Sequence, residues 1–318
     1  MVAAARDHGV EGVVLAGMGA AQVCLPPSLI AEATERLRLG AVWSDALEDT
    51  LRKVLSAMKG AGIRAVSLKG PLLAHRFYEN GVVRPSQDLD VLLDPDALEP
   101  AALALVPLGY EREGRDIERF YHEHHHHVRL LHATLPTLEL HFHAHRGFGT
   151  VLPAASLLAR AVSSGVPGWG DALVLSPEDE FLYLAVHAAG HRFQSLMWLF
   201  DLKLLALRCR DLQWDVLASR AASHGLSAVV SFTRRLLSDW LGLPALGGGH
   251  SFAPIAAGRW LVAKSLIRPH EGYGTNALTT YLFSVLLCDD VAKAAVFSRR
   301  WARRGLARAS GKARARAT

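Results

Sequence analysis

The sequence predicts a two-part α/β (α+β) chain, in which a mixed α/β half precedes an all-helical half. Three observations carry that expectation. Short β-like runs at 65–70, 88–94, 124–131 and 137–145 are interleaved with helical text in the first half. After Gly147, Pro153, Pro167-Gly168 and Gly170 punctuate a loop-rich passage around one short helix. From Ser176-Pro177 onward apolar residues recur at helical spacing almost throughout, with breaks at Gly242–Gly249 and Gly272–Gly274. The expected divisions are a little-structured segment 1–27, an α/β domain 28–150, a helical domain 151–298 and a basic tail 299–318.

Residues 1–27 are small and Gly-rich, and no element is assigned to them. From Pro27 to Lys59, Ile30, Ala33, Leu37, Leu47, Leu51 and Leu55 fall at helical spacing. "AVSLKG" (65–70) is a short strand ending at glycine, and Pro71 suits the first turn of a helix, "PLLAHRFYEN", that stops at Asn80-Gly81. "DLDVLLD" (88–94) is the next strand. Pro95-Asp96 opens a helix to Leu105, and Gly109-Tyr110 begins an antiparallel stretch. "HHHHVRLL" (124–131) and "TLELHFHAH" (137–145) complete the β-like text. No internal repeat is visible.

The 318 residues are 50% hydrophobic and 20% charged, enough for a sizeable core. The formal charge is +5, but residues 299–318 hold eight Lys/Arg and no acid, which leaves the body at −3. That tail reads either as a disordered, solubilising end or as an electrostatic arm for nucleic acid or another acidic partner. Cys24, Cys209 and Cys288 lack metal or redox spacing and read as reduced thiols of a cytoplasmic protein. No signal peptide is read at the N-terminus. The most apolar window, 181–207, is interrupted by His187, His191, Arg192, Asp201 and Lys203, so no membrane span is expected.

The chemistry concentrates in 68–95. Along a strand, Asp88 and Asp90 project to one face, Leu89 and Val91 to the other. Paired carboxylates repel unless a cation sits between them, and Mg²⁺ prefers such oxygens together with substrate phosphates. In "TLELHFHAH", Leu138, Leu140, Phe142 and Ala144 form one face; Glu139, His141, His143 and His145 form the other. Glu139 is thus a third carboxylate able to oppose Asp88 and Asp90 in one sheet, with His141 beside it to contact phosphate or substrate, or to orient the acid. Lys69-Gly70, where strand passes to helix, offers an ammonium and backbone N–H groups to a phosphate. Arg84 is a candidate bidentate phosphate ligand.

The remaining histidines leave more room. "HEHHHH" (122–127) contains the letters of a zinc-protease motif in His122, Glu123 and His126, which requires a helix; the following "HVRLL" favours a strand, so a zinc-dependent hydrolase is the weaker reading, and these histidines read rather as lining the sheet's open face or as solvated. His187 and His191 share one helical face, open to nucleotide or acceptor contact, metal chelation or plain core packing. Asp201 is a candidate cap or partner for one of them.

"SLKGPLLAHRFYENGVVRPSQDLDVLL", the later "LELHFH" and "YLAVHAAGHRFQSLMWLFDLKLL" together resemble an uncharacterised bacterial nucleotidyltransferase family within the DNA polymerase-beta-like nucleotidyltransferase superfamily. The likeness runs from about residue 45 to 210. It implies a small mixed β-sheet with flanking helices, and Mg²⁺- or Mn²⁺-dependent transfer of a nucleoside monophosphate from an NTP, ATP foremost, to an acceptor. A small molecule or peptide is the favoured acceptor class, with nucleic acid open through the basic tail. Asp88 and Asp90 match the metal-binding pair, and Glu139 matches the third carboxylate, which activates the acceptor hydroxyl; all three are expected to converge on the divalent ions. Lys69-Gly70-Pro71 replaces the superfamily's usual Gly-Ser, and Phe142 replaces a frequent Trp. A non-catalytic nucleotide-binding or regulatory module on the same fold is the main alternative.

Overall fold

A computed structural model describes residues 2–79, 82–243, 256–267 and 277–315. Helices α1 (Val2–Asp7) and α2 (Glu11–Ala20) open the chain, followed by the long α3 (Pro27–Gly60). Strand β1 (Val66–Ser67), helix α4 (Pro71–Phe77), strand β2 (Asp88–Leu92) and helix α5 (Leu98–Leu105) follow. Next come β3 (Glu111–Arg112), α6 (Arg115–His124), β4 (His127–Leu131), β5 (Thr137–His141), β6 (His143–Gly147) and β7 (Thr150–Pro153). Helix α7 (Ala154–Ala159) leads into β8 (Val162–Ser163) and β9 (Leu173–Val174). Among the described residues the elements that follow are all helices: α8 (Pro177–Gly190), α9 (Leu196–Arg208), α10 (Trp214–His224), α11 (Ser227–Leu241), α12 (Ala257–Ser265), α13 (Ala277–Leu286) and α14 (Val291–Ala315).

The main sheet is mixed, in the order β3-β4-β5-β2-β1-β9-β8, and β6 and β7 form a separate ribbon. β2 runs parallel to β5, and β1 parallel to β9; the other neighbours are antiparallel. A small mixed sheet with flanking helices and a helical C-terminal part is therefore what the chain forms.

Alternation along β2 and β5 divides the core in two. Leu89, Val91, Leu138 and Leu140, each at most 1% exposed, pack with Leu47, Leu51 and Val54 of α3 and with Leu98 and Leu105 of α5. Burying each such side chain contributes about 1.5–3 kcal/mol. On the opposite face, Val66, Leu68 and Leu92 join Phe181, Leu182 and Leu184 of α8 and the apolar faces of α9–α11. The polar residues of β2 and β5 thus face the helical layer, with Asp90 and His141 buried and Asp88, Thr137 and Glu139 half-buried.

Several expectations need correction. The small, Gly-rich N-terminus is helical, held by the Arg36–Glu11 pair at 2.7 Å and by Ser195 Oγ donating to the His8 carbonyl at 2.8 Å. Residues 115–124 are a helix rather than part of an antiparallel run. "TLELHFHAH" is two strands: the chain leaves the main sheet after His141 and pairs with β7 instead. The sheet also draws in β8 and β9, past residue 150. The basic tail continues α14 as helix through Ala315. The stop expected at Asn80-Gly81 lies outside the described residues, as do most of the breaks at Gly242–Gly249 and Gly272–Gly274; α4 itself ends at Phe77.

Candidate active site

Register sets the first distances. Pairing of β2 with β5 makes Asp90 and Glu139 direct neighbours, with Asp88 opposite Thr137 and Leu92 opposite His141. One ligand atom from each of Asp90, Glu139 and His141 lies within 4.8 Å of the others. The His141 Nε2 is 3.0 Å from Asp90 Oδ1 and 3.6 Å from Glu139 Oε2. Asp88, one step along β2 on the same face, is tied in through Lys69, whose Nζ lies 3.4 Å from Asp88 Oδ1 and 3.0 Å from Asp90 Oδ2. The structure brings Asp88, Asp90 and Glu139 to one place, with His141 nearer to Asp90 than Asp88's own contacts reach.

Lys69 gets there because the chain turns at Gly70, whose φ of +81° is a conformation that L side chains rarely adopt, before Pro71 opens α4. Burial works against the Lys69 charge, but Asp90, Asp88 and Glu139 outweigh it and hold the ammonium's pKa above its ordinary value. Burial likewise would raise the Asp90 carboxyl; Lys69 and the hydrogen bond from His141 reverse this and keep it well below the usual carboxylate range. Asp88 has the opposite fate: burial and the charge of Asp90 raise it despite Lys69. Burial opposes ionisation of Glu139, yet His141 and His127 lower its pKa. His141 is pushed up to about 9, since its hydrogen bonds to Asp90 and Glu139 defeat burial.

Around this centre stand further histidines. His127 has its Nε2 3.6 Å from Glu139 Oε1, and its ring centre is 5.0 Å from that of His141. The His126 ring lies 5.4 Å from His141 and 5.3 Å from His145. From the helical layer come Tyr183, His187 and His191, with ring separations of 6.0 Å and 4.8 Å along the row. Burial lowers the pKa of all five of these histidines: His127 and His191 to about 4, His145 to about 3, His126 and His187 well below normal. Burial, with Asp90 and Glu139 behind it, pushes the Tyr183 phenol well above its ordinary value.

Other expectations fare differently. Arg84 is sequestered: its guanidinium donates to Asp201 at 2.8 and 2.6 Å and to Ser86 Oγ at 2.7 Å, and it is 5% exposed, so it offers nothing to a phosphate. Asp201 accordingly serves Arg84 and the Tyr78 hydroxyl rather than a histidine. His143, carried off into β6, packs edge-on against Phe142. The zinc-protease letters do not assemble. Helix α6 ends at His124; His122 stacks on Phe142, while His126 turns towards His141 and His145.

Of the groups around the centre, His145 already shared the Glu139 face in the sequence and His126 and His127 belonged to the 122–127 run, whereas Tyr183 was missed. For Tyr183 the signal was there, since positions 183, 187 and 191 are successive fours on one helical face.

Three carboxylates meet the Lys69 ammonium here, with His141 against Asp90. Asp90 Oδ2 is buried without a hydrogen-bond partner, although it faces Lys69. Adjacent carboxylates from two neighbouring strands suit a hard divalent cation such as Mg²⁺ or Mn²⁺. Asp90 and Glu139 are the residues that would hold the ion, with Asp88 beside them.

A family model described as "Uncharacterised nucleotidyltransferase" matches residues 1–242, from α1 to the end of α11. The chain belongs to that nucleotidyltransferase family. The match extends the likeness visible in the motifs to the N-terminal helices and to most of the helical layer. No curated protein matches this family member. Among the described residues no helix is long and apolar enough to cross a membrane.

Proposed function

We propose that this family member is a divalent-cation-dependent nucleotidyltransferase that moves a nucleoside monophosphate from an NTP, ATP foremost, to the hydroxyl of an acceptor. In the reaction a bond forms between the acceptor oxygen and the α-phosphorus. The bond from that phosphorus to the bridging oxygen breaks, and pyrophosphate leaves. Glu139 accepts the hydroxyl proton. Asp88, Asp90 and Glu139 would hold the cation, which when bound neutralises phosphate charge and orients the triphosphate. Lys69 balances the carboxylates, the Gly70 turn offers its backbone to phosphate, His141 fixes the Asp90 carboxylate, and His187 and His191 reach the nucleotide or acceptor from α8. The direct pairing of Asp90 with Glu139 across parallel strands, on a chain of this family, carries the reading.

Pyrophosphate release is measured with Mg²⁺ or Mn²⁺ against NTPs and a panel of small-molecule, peptide and RNA acceptors. Asp88→Asn with Asp90→Asn abolishes turnover if the reading holds; full activity in that variant overturns it. Nucleoside diphosphate as the product would mean phosphoryl transfer instead. One observation favours a non-catalytic NTP-binding module: Lys69 already sits between the carboxylates as a built-in counter-ion. That module binds NTP and releases no pyrophosphate with any acceptor.

A further inference from the structure

Beside the carboxylates lies a second donor set, of which nucleotidyl transfer as proposed uses only the Asp90-facing nitrogen of His141. One ring nitrogen from each of His126, His127 and His141 falls within 4.8 Å of the others. Two of these rings share an arrangement. His141 directs Nε2 to Asp90 at 3.0 Å, and its Nδ1 is buried with no hydrogen-bond partner. His127 has Nε2 3.6 Å from Glu139, and its Nδ1 is likewise buried and unpartnered. For His141, one nitrogen hydrogen-bonded to a carboxylate and the other unsatisfied is the pattern of a metal-bound histidine, whose outer N–H is anchored by an acid; His127 faces Glu139 at ion-pair distance.

We propose that His126, His127 and His141 form a separate site for a borderline transition ion of the Zn²⁺ class, adjoining the carboxylate centre. Imidazole suits such ions, whereas Mg²⁺ takes oxygen donors, so the two sets sort cations by chemistry. Zn–N bonds of about 2.0–2.1 Å put tetrahedral ligands roughly 3.4 Å apart. Nitrogens at most 4.8 Å apart therefore close by no more than about 1.4 Å on binding, within the reach of side-chain rotation. A cation on the free nitrogen of His141 replaces the ring's second proton, which leaves to solvent, and the Nε2–H contact to Asp90 survives. His141 thereby links the sites: Asp90 orients the ring that holds the transition ion. The inference stands on the imidazoles and does not require that the chain transfer nucleotides. It also differs from the zinc-protease letters, because His122 and Glu123 take no part.

Co²⁺ serves as the probe, added to the full-length chain after chelator treatment. With Mg²⁺ in excess to fill the carboxylate centre, the wild type binds one Co²⁺ with the visible ligand-field bands of a nitrogen-rich, low-coordinate ion. His126→Ala with His127→Ala abolishes the bands and weakens binding by more than about 100-fold, beyond the 10–100-fold that loss of an outer partner costs. Asp88→Asn keeps them. Bands that persist in the double histidine variant, that vanish with Asp88→Asn, or that form only without Mg²⁺, overturn the proposal. Should the double variant lose its fold by circular dichroism, X-ray absorption on Zn²⁺-loaded wild type decides. Three imidazole nitrogens support the site, and a shell of oxygens refutes it.

Discussion

Replacing Lys69 by methionine removes the internal counter-ion of the carboxylate centre while keeping most of the side-chain volume. At an effective dielectric of about 20, a charge pair 3.0 Å apart, as Lys69 and Asp90 are, attracts by roughly 5 kcal/mol. Asp88, whose side chain is 35% exposed, is screened by water and adds little. Burying the ammonium consumes part of that attraction, so the loss is expected to fall in the range of about 3–5 kcal/mol seen when one partner of a buried pair is removed. The measurement is urea unfolding of wild type and Lys69→Met, each in chelator and in excess Mg²⁺ or Mn²⁺. In chelator the variant is less stable by that amount. A divalent ion at about 100 times its Kd restores about 2.7 kcal/mol, because it occupies the position the ammonium left. A variant within 1 kcal/mol of wild type in chelator, or one that divalent ions fail to rescue, would refute the idea that Lys69 stands in for a cation.

Three further outcomes follow from the geometry. Arg84→Met strands the buried Asp201 carboxylate and costs about 3–5 kcal/mol in a urea melt, whereas Arg84→Met with Asp201→Leu recovers most of the loss, since no charge remains buried. His141 has its folded-state pKa raised to about 9, so in chelator its contribution is complete below pH 6.5 and disappears as pH climbs through 9; it is on the order of 3 kcal/mol, and His141→Gln flattens that slope. The lowered histidines leave this window undisturbed, having lost their protons below it. Tyr183→Phe removes a buried hydroxyl that has no hydrogen-bond partner, so its unfolding free energy stays within about 1 kcal/mol of wild type; a larger loss would mean that the hydroxyl is held after all.

Period-2 alternation made β2 and β5 legible, and with them the common face of Asp88, Asp90 and Glu139, because a strand with one buried face has little freedom of register. Which strands become neighbours is not a local property, so the direct Asp90–Glu139 pairing came only with the fold. The end of β5 was missed because apolar alternation continues through Phe142 and Ala144 although the chain changes sheets there. Helix α6 was hidden by a histidine run that reads equally as strand, although Ile117, Phe120 and Tyr121 have helical spacing. The N-terminal helices carry glycines of poor helix propensity and depend on distant partners such as Arg36 and Ser195. Arg84 was misjudged because its partner is 117 residues away. Arginine in a loop looks the same in sequence whether it meets solvent or a buried acid.

The placement of β9 bears on how the chain is made. β1 is sandwiched between β2 and β9, and β9 arrives about a hundred residues later than β1. A nascent or shortened polypeptide ending near residue 150 carries Asp88, Asp90 and Glu139, yet it presents an apolar strand edge at Val66 and lacks the α8 roof over its acids. Such a fragment is prone to self-association, and the acidic centre closes only after synthesis has passed α8.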